Sequence, residues 1–234
     1  MHIAMLGKYN LAKCLIVAIN VFVIGGSIVN GLLNGDPQYS FDEGDFVTEV
    51  SGWQLALCAV ASSINFSLFL AWRKKLLSLD SLFWLILVAG FVYLSFDEIF
   101  MYHERLDKYL HFALSIRETP WTDRIDDLLV GLYVALASLL VILSVKVQSF
   151  SEAAKKIFIR ALFLAAGMVV LDIITNGAEF ADWLFGPALG EFMRVWLSVA
   201  EECLKLVASA LLLVGLISNC RFLRGKILIS CPKT

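Results

Sequence analysis

The residues of this chain best suited to chemistry are acids and histidines set inside long apolar runs. Asp97-Glu98 is followed, after four intervening residues, by His103-Glu104, and Asp172, Asn176 and Glu179 follow at i, i+4, i+7. Glu201-Glu202 stands beside a third run. Carboxylates with an imidazole suit a divalent cation: hard oxygen donors favour Mg²⁺, Ca²⁺ or Mn²⁺, and a histidine shifts the preference toward Mn, Fe or Zn. Such an ion activates a water, and a spare carboxylate serves as general base. The candidate metal ligands are Asp97, Glu98, His103, Glu104, Asp172, Glu179 and Glu202, with Asn176, Glu201 and His111 supporting. The string is not HExxH, since Asp107 stands where a second histidine would ligate. On a straight helix His103 lies about 140° around from Glu98, so the two share an ion only if the helix bends. No GxSxG is present, which leaves covalent catalysis without a nucleophile motif.

The elements that must position these groups are membrane helices. The chain is 59% hydrophobic and 17% charged, with a mean hydropathy of +0.79. About 20 apolar residues cross the roughly 30 Å hydrocarbon core. Six windows meet that length: 11–33, 51–72, 81–101, 128–147, 157–176 and 195–218. The sequence therefore predicts an all-α integral membrane protein, a single six-helix bundle with interfacial helical segments on its outer face.

Charge is sorted along the chain. Nineteen of 21 carboxylates fall within Asp36–Glu49, Asp97–Asp127 and Asp172–Glu202, whereas 13 of 19 Lys/Arg lie outside those stretches. The positive-inside rule then puts both termini in the cytoplasm and the acidic stretches outside, in a plasma membrane of the bacterial inner-membrane type. Trp72 and Trp84 are expected at the basic interface, and Trp53, Trp121, Trp183 and Trp196 at the acidic one. The apolar core Cys14–Leu33 is long for a signal peptide, so a retained helix is expected. The five cysteines show no metal-ligand spacing, and the CPKT ending does not match a prenylation signal.

Depth makes the acids informative. Counting from the basic ends at 1.5 Å per residue, Asp97 lies about 24 Å into its run, Asp172 about 22 Å, and Glu202 about 24 Å. All three stand about 6–8 Å inside the outer boundary. Asp126 and Asp127 add a pair slightly higher, at the start of helix 4. If helix 3 continues unbroken, Asp97, Glu104 and His111 form one stripe, and the next firm breaker is Pro120. Glu201 has Lys205 at i+4 and Arg194 at i−7 as partners, which points Glu202 to the bundle interior. Unpaired carboxylates at one depth repel and require a cation, shared protons or water.

Elsewhere, Gly35-Asp36-Pro37 closes helix 1, and the acidic loop 36–50 lacks periodicity. Ser62, Ser63, Asn65 and Ser67 on helix 2 are expected to face another helix. Segment 178–194 carries a Gly186-Pro187 break within an interfacial stretch.

Three function classes follow. The first is a membrane-embedded, outward-facing site binding a divalent cation for hydrolysis of a lipid or lipid-linked substrate. The second is a non-catalytic sensor or anchor subunit, with the basic loops and the tail Arg221–Lys233 docking a cytoplasmic protein or anionic lipid. The third is a cation transporter or channel with an acidic vestibule. A homo-oligomer is compatible with each. The basic residues form no stripe with interleaved aromatics, which argues against nucleic acid.

Overall fold

A computed structural model gives the arrangement of the chain. It describes residues 2–230 apart from 43, 116, 118–124, 176–181 and 184, and it does not describe the side chains of 2–10, 125–127, 187 and 188. Seven helices form among the described residues: α1 (His2–Asn34), α2 (Phe46–Arg73), α3 (Leu79–Phe100), α4 (Tyr102–Leu114), α5 (Ile125–Ser144), α6 (Glu152–Thr175) and α7 (Pro187–Ser230). The protein is all-helical, and five of these helices are long and apolar enough to cross a membrane: Leu11–Asn34, Phe46–Arg73, Leu79–Phe100, Glu152–Thr175 and Leu189–Ser230. At the sixth expected window stands α5, apolar over its described side chains from Leu128 to Ser144. The large apolar side chains that face outward, such as Leu15, Phe22 and Phe163, match helices whose surroundings are lipid.

α2 and α7 form the centre. α3 packs along α2, α6 along α7, and α2 and α7 against each other. α5 reaches the bundle through α6 and α4, and α1 rests mainly on α7. Lipid supplies no hydrophobic force between helices, so they approach closely where small residues allow it. A Cβ at Gly52 would stand 2.8 Å from Ile99 of α3, and one at Gly215 would stand 2.9 Å from the Phe158 ring of α6. The Gly52 carbonyl also accepts Ser95 Oγ at 2.9 Å, locking α2 to α3.

The basic end of the bundle holds an aromatic core with a polar network above it. Phe83, Trp84, Phe150 and Phe158 pack edge to face or tilted, with centroids 5.0 to 5.8 Å apart. Trp84 is fully buried, with Nε1 donating to Ser149 Oγ at 2.9 Å, so it is a core residue and not the interfacial anchor expected. Asn219 Nδ2 donates to Asn65 Oδ1 (3.0 Å) and to the Ser149 carbonyl (2.9 Å). Asn219 Oδ1 in turn accepts the Ser151 N–H at 2.7 Å. Asn65 also donates to the Leu216 carbonyl at 3.1 Å, so this member of the helix 2 polar run does face another helix. Ser63 and Ser67 bond back to their own helix instead.

At the acidic end the 36–45 loop is ordered by turns and folds onto the bundle. Gly35 takes φ +74, Asp36 Oδ1 accepts the Gln38 N–H at 3.0 Å, and Asn30 Nδ2 donates to Ser40 Oγ. Gly31 permits this return, because a Cβ there would lie 2.7 Å from the Asp36 carbonyl oxygen. Phe41 is thereby buried with Val23, Val47, Val199 and Leu206. The Gly186-Pro187 break is the start of α7: Gly186 is left-handed at φ +78 and Pro187 occupies the first helical position, where its missing N–H costs nothing. α7 then runs for 44 residues, about 66 Å, well past the thickness of a bilayer.

The network sets a clear expectation. Asn219→Ala strands acceptors on Asn65 and Ser149 and the donor of Ser151, which should lower stability by about 1–3 kcal/mol. Reversible unfolding in mixed micelles measures this; Ser67→Ala, whose hydroxyl bonds only within α2, is the control. Equal stability for the two variants contradicts the assignment.

Candidate functional site

The helix that carries Asp97 does not continue as one rod. α3 stops at Phe100, Met101 takes a left-handed conformation (φ 51), and α4 starts at Tyr102. Met101 has no side-chain cap to offer the new helix. Asp97 fills that role from the preceding turn: Oδ1 accepts the His103 N–H at 2.9 Å and Oδ2 lies 3.1 Å from His103 Nδ1. An orphan first-turn N–H and an imidazole are thus held by one carboxylate. Both residues are well buried, with side-chain exposures of 6% for Asp97 and 12% for His103.

This corner changes two expectations. The bend brings His103 to Asp97 and not to Glu98. It also takes Asp97 off the stripe with Glu104 and His111, since the seven-residue spacing works only on an unbroken helix. Glu104 binds Lys108 at 3.0 Å across one turn of α4. His111 is buried beside Asp107, with Nδ1 3.1 Å from the Asp107 carbonyl and 3.2 Å from its carboxylate.

Glu98 and Glu202 meet across a single cation. Lys205 Nζ lies 3.0 Å from Glu98 Oε1 and 2.7 Å from Glu202 Oε1, joining α3 to α7. Ser51 Oγ of α2 donates to Glu98 Oε1. Thr48 Oγ1 lies 3.2 Å from the Asp42 carbonyl and 3.4 Å from Glu202 Oε2, so its one proton serves both. Glu202 is in the interior, as expected, but not because it lacks a partner: it is itself paired with Lys205. Lys205 turns toward it at i+3, and Glu201 takes Thr175 Oγ1 of α6 as its partner at 3.2 Å. Lys205 thus makes its close ion pairs with Glu98 and Glu202, while its charge still acts on Glu201 at i+4.

A polar cavity of about 280 Å³ lies beside this bridge. Asp42, Glu104, Asp172, Glu201 and Glu202 line it, with Gln38, Thr175 and Ser198, and Arg194 is its one basic lining residue among the described residues. Arg194 is itself bonded to Glu191 at 2.7 Å. Walls of one sign focus a negative potential in a cleft. In the loop, burial pushes the Asp42 carboxyl above its ordinary range, and the neighbouring Asp45 and Asp36 charges push the same way.

Of the residues singled out in the sequence, Glu104, Asp172, Glu201 and Glu202 therefore share one cavity. Asp97 with His103 and Glu98 with Lys205 form separate pairs beside it, and His111 does not line it. Asn176, Glu179 and the Asp126 and Asp127 side chains lie outside the described residues. Among the described residues no three His, Cys, Asp or Glu side chains come close enough to hold a metal ion together. Sequence reasoning missed Thr48 and Ser51, because α2 begins at Phe46 and not near 51. It also missed Asp42, whose loop carries no helical phase to read.

Lys205 is the test of this arrangement. Lys205→Met leaves Glu98 and Glu202 facing each other without a counter-charge, and losing one partner of a buried ion pair costs about 3–5 kcal/mol. Adding Glu98→Gln and Glu202→Gln to Lys205→Met should recover most of the loss in the same unfolding assay. A Lys205→Met protein as stable as the parent refutes the bridge.

No curated protein and no solved structure matches this chain. Residues 14–220, most of its length, match a domain of unknown function, DUF8692, and the chain belongs to that family.

Proposed function

We propose that this protein binds a divalent cation in the acidic cavity, as a six-span membrane protein with both termini in the cytoplasm, and uses that ion for hydrolytic chemistry on the head group of a lipid or lipid-linked substrate. The observation that carries the reading is the cavity lined by Asp42, Glu104, Asp172, Glu201 and Glu202 from the loop, α4, α6 and α7. Its size fits a hydrated ion. With roughly 30 Å³ of liquid volume per water, it has room for a cation that keeps several of its waters. Mg²⁺ behaves in this way, binding through only one or two carboxylates. A set of three converging ligands is not required.

A cation in this place also explains why so many acids tolerate one depth. Lys205 offsets part of the charge of Glu98 and Glu202 and Lys108 part of that of Glu104, and a bound ion adds positive charge to a lining that is mostly acidic. The Asp97–His103 pair sits one residue along α4 from Glu104. Asp97 orients the His103 ring through Nδ1, which places an imidazole next in sequence to a cavity carboxylate.

Electron paramagnetic resonance of Mn²⁺ added to protein in nanodiscs tests the cation. One saturable site is expected, with affinity lowered about tenfold or more, at least 1.4 kcal/mol, in Glu201→Gln and Asp172→Asn. Chelator-sensitive release of lipid head groups should fall in the same variants, whereas Glu152→Gln at the basic end should change neither. Absence of a saturable site, or equal affinity in all variants, ends the proposal. Orientation is tested separately in intact cells with a membrane-impermeant thiol reagent. Cysteine replacing exposed Tyr39 should label from outside and cysteine replacing exposed Leu77 should not; the reverse pattern inverts the topology.

A further inference from the structure

A second cavity lies on the other side of Asp97, between α3, α5 and α6. Its volume is about 240 Å³, and its walls are apolar apart from Tyr93, Tyr133 and Ser144. The lining runs from Phe83 to Leu94 on α3 and from Tyr133 to Ser144 on α5, eleven residue steps on each. That is a slot about 16 Å long. α3 and α5 do not pack directly along their lengths, since α5 rests on α6 and α4. What joins them is the Tyr93–Tyr133 pair, with hydroxyls 2.7 Å apart and rings edge to face at 5.6 Å. The Tyr133 hydroxyl also interacts with the Asp97 carboxylate.

We propose that this cleft holds one hydrocarbon chain of a bilayer lipid, with the polar end of that lipid at Tyr93, Tyr133 and Asp97. Three features select this occupant. The lining of α3 lies wholly inside a helix long and apolar enough to span the membrane, so the medium at the mouth of the cleft is lipid and not water. An apolar slot at that depth does not hold water, which requires polar partners. A helix, about 10 Å across with its side chains, is too thick for it, whereas a single extended chain is thin and long in the same proportion as the slot. Gly90 leaves space in the wall, since a Cβ there meets no atom within 4 Å. The tyrosine hydroxyls at the outer end give an ester or phosphate a hydrogen-bonding place beside the Asp97–His103 pair. This inference does not depend on the cation: a chain can bind in the cleft whether or not an ion binds in the cavity.

The probe is a phosphatidylglycerol carrying a diazirine on its acyl chain, mixed into nanodiscs holding the full-length protein. After photolysis, peptide mass spectrometry should find adducts on the α3 and α5 segments lining the cleft. Their yield should exceed several-fold that on the outward-facing Leu15 and Phe22 of α1. Gly90→Leu with Ala137→Leu fills the slot and should reduce the cleft adducts several-fold while leaving those on α1 unchanged. If the double variant does not fold, Ala137→Leu alone supplies the comparison. Cleft adducts no more abundant than those on α1, or unaffected by filling, overturn the proposal. So do cross-links joining the cleft to a second copy of the chain.

Discussion

One charge placement governs the acidic half of this molecule: the Lys205 ammonium held between Glu98 and Glu202. At this depth an unpaired carboxylate costs several kcal/mol, and two facing each other repel as well. Lys205 offsets both costs with one side chain. It also ties α3 to α7, while Ser51 and Thr48 bring α2 into the same network. α2, α3 and α7 are therefore joined by polar contacts at the acidic end and, at the basic end, by Asn65, Asn219 and Ser149, the last of which also accepts the Trp84 N–H of α3. Between these ends Ser209 Oγ of α7 donates to Gln54 Oε1 of α2 at 2.8 Å, and small residues and aromatic packing make the rest of the contact. In lipid, where burial of apolar surface gives no preference for one helix pairing over another, such directional bonds fix the register.

The second constraint is the corner at Met101. A left-handed non-glycine residue is unfavourable by itself, and Asp97 stabilises it by capping α4 and holding His103. The same two contacts fix the imidazole orientation. The corner and the Asp97–His103 pair are thus one structure. The corner places Glu104 over the cavity while Asp97 faces the opposite side, toward Tyr133. A polar cavity and an apolar cleft therefore lie at the same end of α3, near one Asp–His pair.

Much of this was legible in the residues. Apolar runs of membrane length foretell the all-helical bundle, and the polar type of Asn65 inside such a run directs it toward another helix. Glu202 is directed inward by giving Lys205 to Glu201, whereas Lys205 bonds Glu202 itself. Trp84 was misread because an aromatic near a helix end has the same sequence signature whether it lies in the interface or fills a core; Ser149 and Phe150, 65 residues away or more, decide between the two. Lys205 was assigned to Glu201 because i+3 and i+4 are equally available on a helix, and only the position of Glu98 on another helix breaks the tie.

The sequence by itself determined what each segment is: which runs are helical and apolar, and which ends are basic or acidic. These follow from composition and from a fixed rise per residue, which are local quantities. The tertiary structure alone decided which charges meet. Pairing depends on how helices rotate against one another and on where a helix breaks, and both are set by contacts between residues distant in sequence, such as Thr48 with Glu202 and Lys205 with Glu98.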